Sequence, residues 1–195
     1  MPGEIWECAQ GSWQIGIGDP GLMGWSIVGL YFLSGLVALL VAGCARFPYD
    51  TARRERVFWV VLGLILLALG VNKQLDLQSL LTAVARCMAQ LQGWYDARRI
   101  VQIGFIVILV AVMLLMTLMF WSMLKGTLSR TWLGLFGLMI VLTFVAVRAV
   151  GFHHMDQLIN MEISDLRVNW LLEMTGPVMV LCAGALNLRN REYGP

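Results

Sequence analysis

The sequence predicts an all-α integral membrane helical bundle, with five transmembrane helices and one amphipathic helix lying in the interface. Three observations predict it. Apolar residues make up 59% of the 195-residue chain and charged residues only 13%, about half the share usual in soluble domains. The apolar residues gather into five runs, four of them close to the ~20 residues that cross ~30 Å of hydrocarbon. The runs are continuous, whereas a barrel strand alternates over ~10 residues. Helices remain, because they satisfy their own backbone hydrogen bonds in lipid. These spans and their connections occupy 1–195 as a single membrane domain, with no room for a soluble catalytic domain.

Residues 1–21 are acidic and lack the basic start of a cleavable signal peptide. Trp6, Trp13, Trp25 and Tyr31 read as an interfacial aromatic belt. The first span, 22–44, carries no charge, and Arg46, Arg53, Arg54 and Arg56 follow it. The second, 55–73, has an apolar stretch too short to cross alone, so it must run on into Asn72-Lys73-Gln74. In 75–94, Leu77, Leu80, Leu81, Val84, Met88 and Leu91 recur at helical spacing. Asp76, Ser79, Arg86 and Gln90 fall on the other faces, the pattern of an interfacial helix. Gly93 is its expected stop, with Trp94 and Tyr95 at headgroup level. The third span is 99–124, closed by Lys125. Its Met113, Met116, Met119 and Met123 are read as lipid-facing or packing side chains, since no His or Cys on that span completes a copper site. The fourth span is 130–150, with Arg148 near its end, and 155–163 reads as a second, shorter interfacial turn. The fifth span is 167–188, closed by Arg189 and Arg191.

Basic residues favour the cytoplasmic side of a membrane protein. With the N-terminus outside, Arg46, Arg53, Arg54, Arg56, Lys125, Arg130, Arg189 and Arg191 fall inside, and Lys73, Arg86, Arg98, Arg99, Arg148 and Arg167 fall outside. The expectation is therefore a periplasmic N-terminus and a cytoplasmic C-terminus. The basic residues are scattered and form no run suited to nucleic acid.

Under this topology four polar strings meet at the outer face. They are Asn72-Lys73-Gln74-Leu75-Asp76, Asp96-Ala97-Arg98-Arg99, Arg148 with His153-His154-Met155-Asp156, and Asn169 with Glu173. Ionisable groups at membrane depth are costly and face a bundle interior, a cavity or a partner. Asn72 and Asp76 share a helix face, as do Asn169 and Glu173. Pro177 has no N–H for the carbonyl of Glu173, so a bend with a free carbonyl beside a carboxylate is expected. Asn72, Lys73, Asp76, Arg98, Arg148, His153, His154, Asp156, Asn169 and Glu173 are the candidate ligand-binding or polar-cluster residues. Arg148 is expected to pair with Glu173 or Asp76 through a two-pronged guanidinium–carboxylate contact. Two readings stay open: a ligand site, or a structural knot with Glu173 paired to Arg148 or Lys73.

A zinc site from His153, Asp156 and Glu173 is one reading of the two histidines, although HExxH and paired-Cys patterns are missing from the sequence. A tetrapyrrole held by one histidine is another, and histidines hydrogen-bonded to neighbouring loops a third. The four cysteines sort by face: Cys8 and Cys87 outside, Cys44 and Cys182 toward the inside. A Cys8–Cys87 disulfide would suit an oxidising periplasm. The alternative is four unpaired thiols acting as small apolar residues.

The strings Asn72-Lys73-Gln74-Leu75-Asp76-Leu77-Gln78, Gly93-Trp94-Tyr95 with Arg98-Arg99, and Arg148 with Phe152-His153-His154-Met155-Asp156 resemble those of a group of small polytopic bacterial inner-membrane proteins. The resemblance spans most of the chain and implies a bacterial inner-membrane setting, but it carries no activity with it. Membrane ceramidase-like hydrolases also place His and Asp at a membrane face, yet they have more spans and a third metal-binding His. The expected function is a binding or accessory subunit with a polar site at the outer face. Its partners would be membrane lipids and the subunits of a larger membrane complex. A metal-dependent hydrolase of a lipid-like substrate and a component of an ion or proton pathway are the alternatives.

Overall fold

The computed structural model describes residues 2–11, 13, 18, 20–95, 98–150, 162–163 and 166–189. They form an integral membrane bundle of α-helices: α1 (Pro2–Gln10), α2 (Leu22–Cys44), α3 (Ala52–Leu75), α4 (Leu77–Leu91), α5 (Arg98–Met123), α6 (Leu128–Val150) and α7 (Val168–Arg189). Five of these, α2, α3, α5, α6 and α7, are long and apolar enough to cross a membrane. A two-residue antiparallel pairing, Glu162–Ile163 with Leu166–Arg167, leads into α7.

Local chemistry sets the boundaries. Helix α3 starts at Ala52, so Arg53, Arg54 and Arg56 lie on its first turns, where they are exposed. At its other end Asp76 takes a left-handed conformation, φ 47°, a region that Asp tolerates better than most residues. That single residue ends α3 and starts α4, so the expected interfacial segment 75–94 is a separate helix docked at the end of a span. Helix α4 closes at Gly93, φ 73°. The Trp94 N–H donates to the Ala89 carbonyl and the Gly93 N–H to that of Gln90, a Schellman stop. Gly126, φ 89°, turns the chain tightly between α5 and α6. Helix α7 runs unbroken through Pro177.

The core belongs to α2, α3, α6 and α7. Ile27, Tyr31, Phe58, Trp59, Leu62, Leu66, Leu138, Val141 and Val180 are almost fully buried there. Small residues let helix backbones approach in membrane proteins, and facing glycines do so twice here. A Cβ on Gly35 would lie 3.1 Å from the Gly63 carbonyl oxygen, and one on Gly137 would lie 2.8 Å from that of Gly176. Helix α5 stands apart. It packs mainly on α6, and near its C-terminal end Phe120 meets Phe58 edge to face, with ring centroids 5.7 Å apart. Met116 and Met123 pack against the core, whereas Met119 and most of the rest of α5 are exposed.

At the opposite end from the α5–α6 turn, α1 packs on α4 through Ile5, Ala9, Leu80, Ala83 and Val84. Cys8 and Cys87 are joined there by a disulfide, with Cα atoms 6.0 Å apart. Cys44 and Cys182 are free and exposed. Leu77, Leu81 and Leu91 of α4 are left exposed beside the face that α1 covers.

Candidate functional site

The last turn of α3, the last turn of α6 and the first turns of α7 end together, and polar side chains from all three line one pocket. It is a cavity of about 340 Å³ bordered by Asn72, Lys73 and Asp76 of α3 and its break, by Phe144, Val145 and Arg148 of α6, and by Asn169, Trp170 and Glu173 of α7. Tyr31 and Leu69 complete the wall from the bundle side, and Gly18 from the N-terminal segment.

The spacing of the sequence explains the convergence. Lys73 and Asp76 lie one turn apart, as do Asn169 and Glu173, so each element presents a pair to the same space. Lys73 Nζ lies 3.1 Å from Glu173 Oε2, with the two side chains only 10% and 5% exposed. In such a screened setting the attraction is far stronger than at a surface. The sequence expected Arg148 to hold Glu173 or Asp76, and named Lys73 as the other partner of Glu173 in the structural-knot reading. The Lys73 pairing is the one formed, across from the end of α3 to α7. Arg148 is exposed, and among the described residues neither it nor Asp76 makes an ion pair. Asn169 buries its Oδ1 with no hydrogen-bond partner among the described residues. Such an atom is expensive to leave unmatched.

Gly18 closes one side of this site. The Gly18 N–H donates to the Gln74 carbonyl at 2.8 Å. A Cβ at Gly18 would sit 3.0 Å from that of Asp76 and 3.3 Å from the Lys73 carbonyl, so this approach requires glycine. Gln74 itself buries both amide atoms without a partner among the described residues.

Tyr31, grouped by sequence with the interfacial aromatics, is instead 2% exposed and faces the pocket. It sits on a helix whose neighbouring positions are all apolar, so nothing in composition separates it from a belt residue. Of the other candidates, Arg98 is the first residue of α5, while His153, His154 and Asp156 lie outside the described residues. Among the described residues no three His, Cys, Asp or Glu side chains gather as a metal would need, and Glu173 is committed to Lys73.

A second polar cluster, missed in the sequence, occupies the other end of the bundle. Glu55 is fully buried and accepts from Arg130 Nη2 at 2.6 Å and from the Thr51 hydroxyl at 2.9 Å. Asn187 Nδ2 donates to the Arg130 carbonyl at 3.2 Å and to the Ala183 carbonyl at 2.8 Å. Glu55 hides within Arg53-Arg54-Glu55-Arg56, which reads as a solvated run. The available signal was its helical phase, since Glu55, Phe58, Trp59, Leu62 and Leu66 share one buried stripe.

Compared with known proteins, the chain matches no family model, no curated protein sequence and no solved structure.

Proposed function

We propose that this chain is an inner-membrane binding protein that holds a small polar ligand, at the periplasmic face, in the pocket between α3, α6 and α7. The observation that carries the reading is the pocket's unmet polar capacity. Arg148 and Asp76, without ion pairs among the described residues, and the buried Asn169 Oδ1, without a partner among them, all border the same 340 Å³. A purely structural knot would pair its charges internally, as Lys73 and Glu173 do. The periplasmic assignment rests on the arginines after the first span. The exposed length of α5 is the surface available to a partner helix if the protein serves as a subunit of a larger complex.

A binding role is favoured over a conducting one by what lies between the two polar clusters. Leu62, Leu66, Leu138, Val141 and Val180 are fully or almost fully buried there, and proton or ion paths need a chain of polar groups or water.

Native mass spectrometry of the full chain in mild detergent tests the proposal. The wild type should carry a bound small molecule, and Arg148→Ala should lose it while keeping its helical content by circular dichroism, because the replaced side chain is exposed and forms no ion pair with a described residue. Identical bound species in both proteins would refute a ligand role for the pocket.

A further inference from the structure

The pocket's charges are arranged as two separated poles of opposite sign, and this narrows the ligand. Among the described residues, four ionisable groups other than Tyr31 border it: Lys73, Arg148, Asp76 and Glu173. Lys73 and Glu173 neutralise each other at 3.1 Å. The remaining pair, Arg148 on α6 and Asp76 at the α3–α4 break, make no ion pair with each other or with any other described residue. The charges that the described residues bring to the site therefore balance, but they are bipolar. A simple anion would leave Asp76 facing it, and a simple cation would face Arg148. A zwitterion satisfies both.

From this we infer that the ligand is a phosphoethanolamine group, a phosphate joined by two carbons to a primary ammonium. The inference rests on the binding role proposed above. A guanidinium can hold a phosphate through two parallel hydrogen bonds, which favours Arg148 as the phosphate pole. An ammonium brings three donors and no acceptor. Asp76 and the buried Asn169 Oδ1 are acceptors lining the same pocket, and the orphaned amide oxygen lacks a donor of this kind. Quaternary ammonium headgroups have no N–H to give it. Size agrees: small-molecule sites run from ~300 to 1,000 Å³, so 340 Å³ admits a headgroup and little more. Leu69, Phe144, Val145 and Trp170 give the same pocket an apolar flank suited to a glycerol backbone.

Two sources share this chemistry, a phosphatidylethanolamine lipid and soluble O-phosphoethanolamine. The full chain is exchanged into vesicles holding equal phosphatidylethanolamine and phosphatidylglycerol, recovered in mild detergent, and its retained lipid is measured by native mass spectrometry. The wild type should prefer phosphatidylethanolamine by about tenfold or more, a factor equivalent to ~1.4 kcal/mol. Asp76→Asn should bring that ratio close to one while lipid is still retained, because the phosphate pole survives. Arg148→Ala should lower retention of both lipids. Displacement of the bound lipid by millimolar O-phosphoethanolamine, or its persistence, assigns the soluble or the lipid source, and each agrees with the inference. Equal retention of the two lipids by the wild type, or a preference unchanged in Asp76→Asn, overturns it. A wild type that takes up neither lipid nor the soluble compound ends the binding proposal itself, a result distinct from binding without selectivity.

Discussion

Lys73 and Glu173 illustrate what a single residue can and cannot disclose. That both lie near one end of their spans follows from counting along the chain, and so do the positions of Asn72, Asp76, Arg148 and Asn169. Which cation meets which carboxylate depends on how each helix is rotated about its axis, and spans apolar on every side leave that rotation unwritten. Removing one member of a buried ion pair strands the other and costs ~3–5 kcal/mol, whereas replacing both with apolar residues is often neutral. Lys73→Met alone should therefore destabilise the protein by about that amount. Lys73→Met with Glu173→Leu should recover most of it, a coupling read from thermal unfolding of the four-protein cycle. The same reasoning applies to Glu55, which is more deeply buried. Arg130→Ala should lower the unfolding temperature more than Arg53→Ala or Arg54→Ala, whose side chains are exposed. An equal effect from all three would mean that Glu55 tolerates losing its partner.

The elements were legible in proportion to their length. Two of the five spans, 22–44 and 100–124, show as long runs without a charge, α6 and α7 as apolar runs marked by Arg148 and by Asn169 and Glu173, and α3 as a short run extended through Asn72 and Lys73. Helix α4 was visible through its periodic leucines, although its sharp join to α3 was not. Helix α1 escaped notice, because nine residues with a few polar interruptions carry little periodic signal and this helix depends on α4 and a disulfide for its place. Cys8→Ser should leave the spanning bundle intact and raise hydrogen exchange in α1, the helix tethered to α4. Unchanged protection in α1 would show that Ile5 and Ala9 hold it without the bond. The paired glycines make a different prediction. A Cβ at Gly176 would meet Val141 and come within 2.7 Å of the Gly137 carbonyl oxygen, so Gly176→Leu must push α6 and α7 apart. Overpacking of this kind costs ~1–3 kcal/mol or more. Gly43→Leu, where a Cβ meets nothing within 4 Å, is the control that should leave the melting temperature alone.

At the scale of the whole molecule the two polar clusters mark out a slab. Lys73 lies eighteen residues beyond Glu55 on α3, and Arg148 eighteen beyond Arg130 on α6. At 1.5 Å per residue each interval is ~27 Å, close to the ~30 Å hydrocarbon thickness. The class of the fold was legible because that thickness imposes a length on every span, whereas the pairing of spans around the core was not. If the basic residues set the orientation, a reporter fused after residue 195 should be active in the cytoplasm alone; activity in the periplasm would invert the assignment and place the pocket on the inner face. The contacts also obey a rule of parity. Two residues that touch at one face must be separated by an even number of crossings. The Cys8–Cys87 bond spans two, α2 and α3, and Lys73–Glu173 also spans two, α5 and α6. Glu55 and Arg130 are separated by α3 and α5. Helix α5 has so little contact with the bundle that its packing alone hardly argues for a crossing. Were it to lie flat on one face, however, Arg130 would be stranded a full bilayer away from Glu55. One buried ion pair thus certifies the passage of the helix that lies between its two members in the chain.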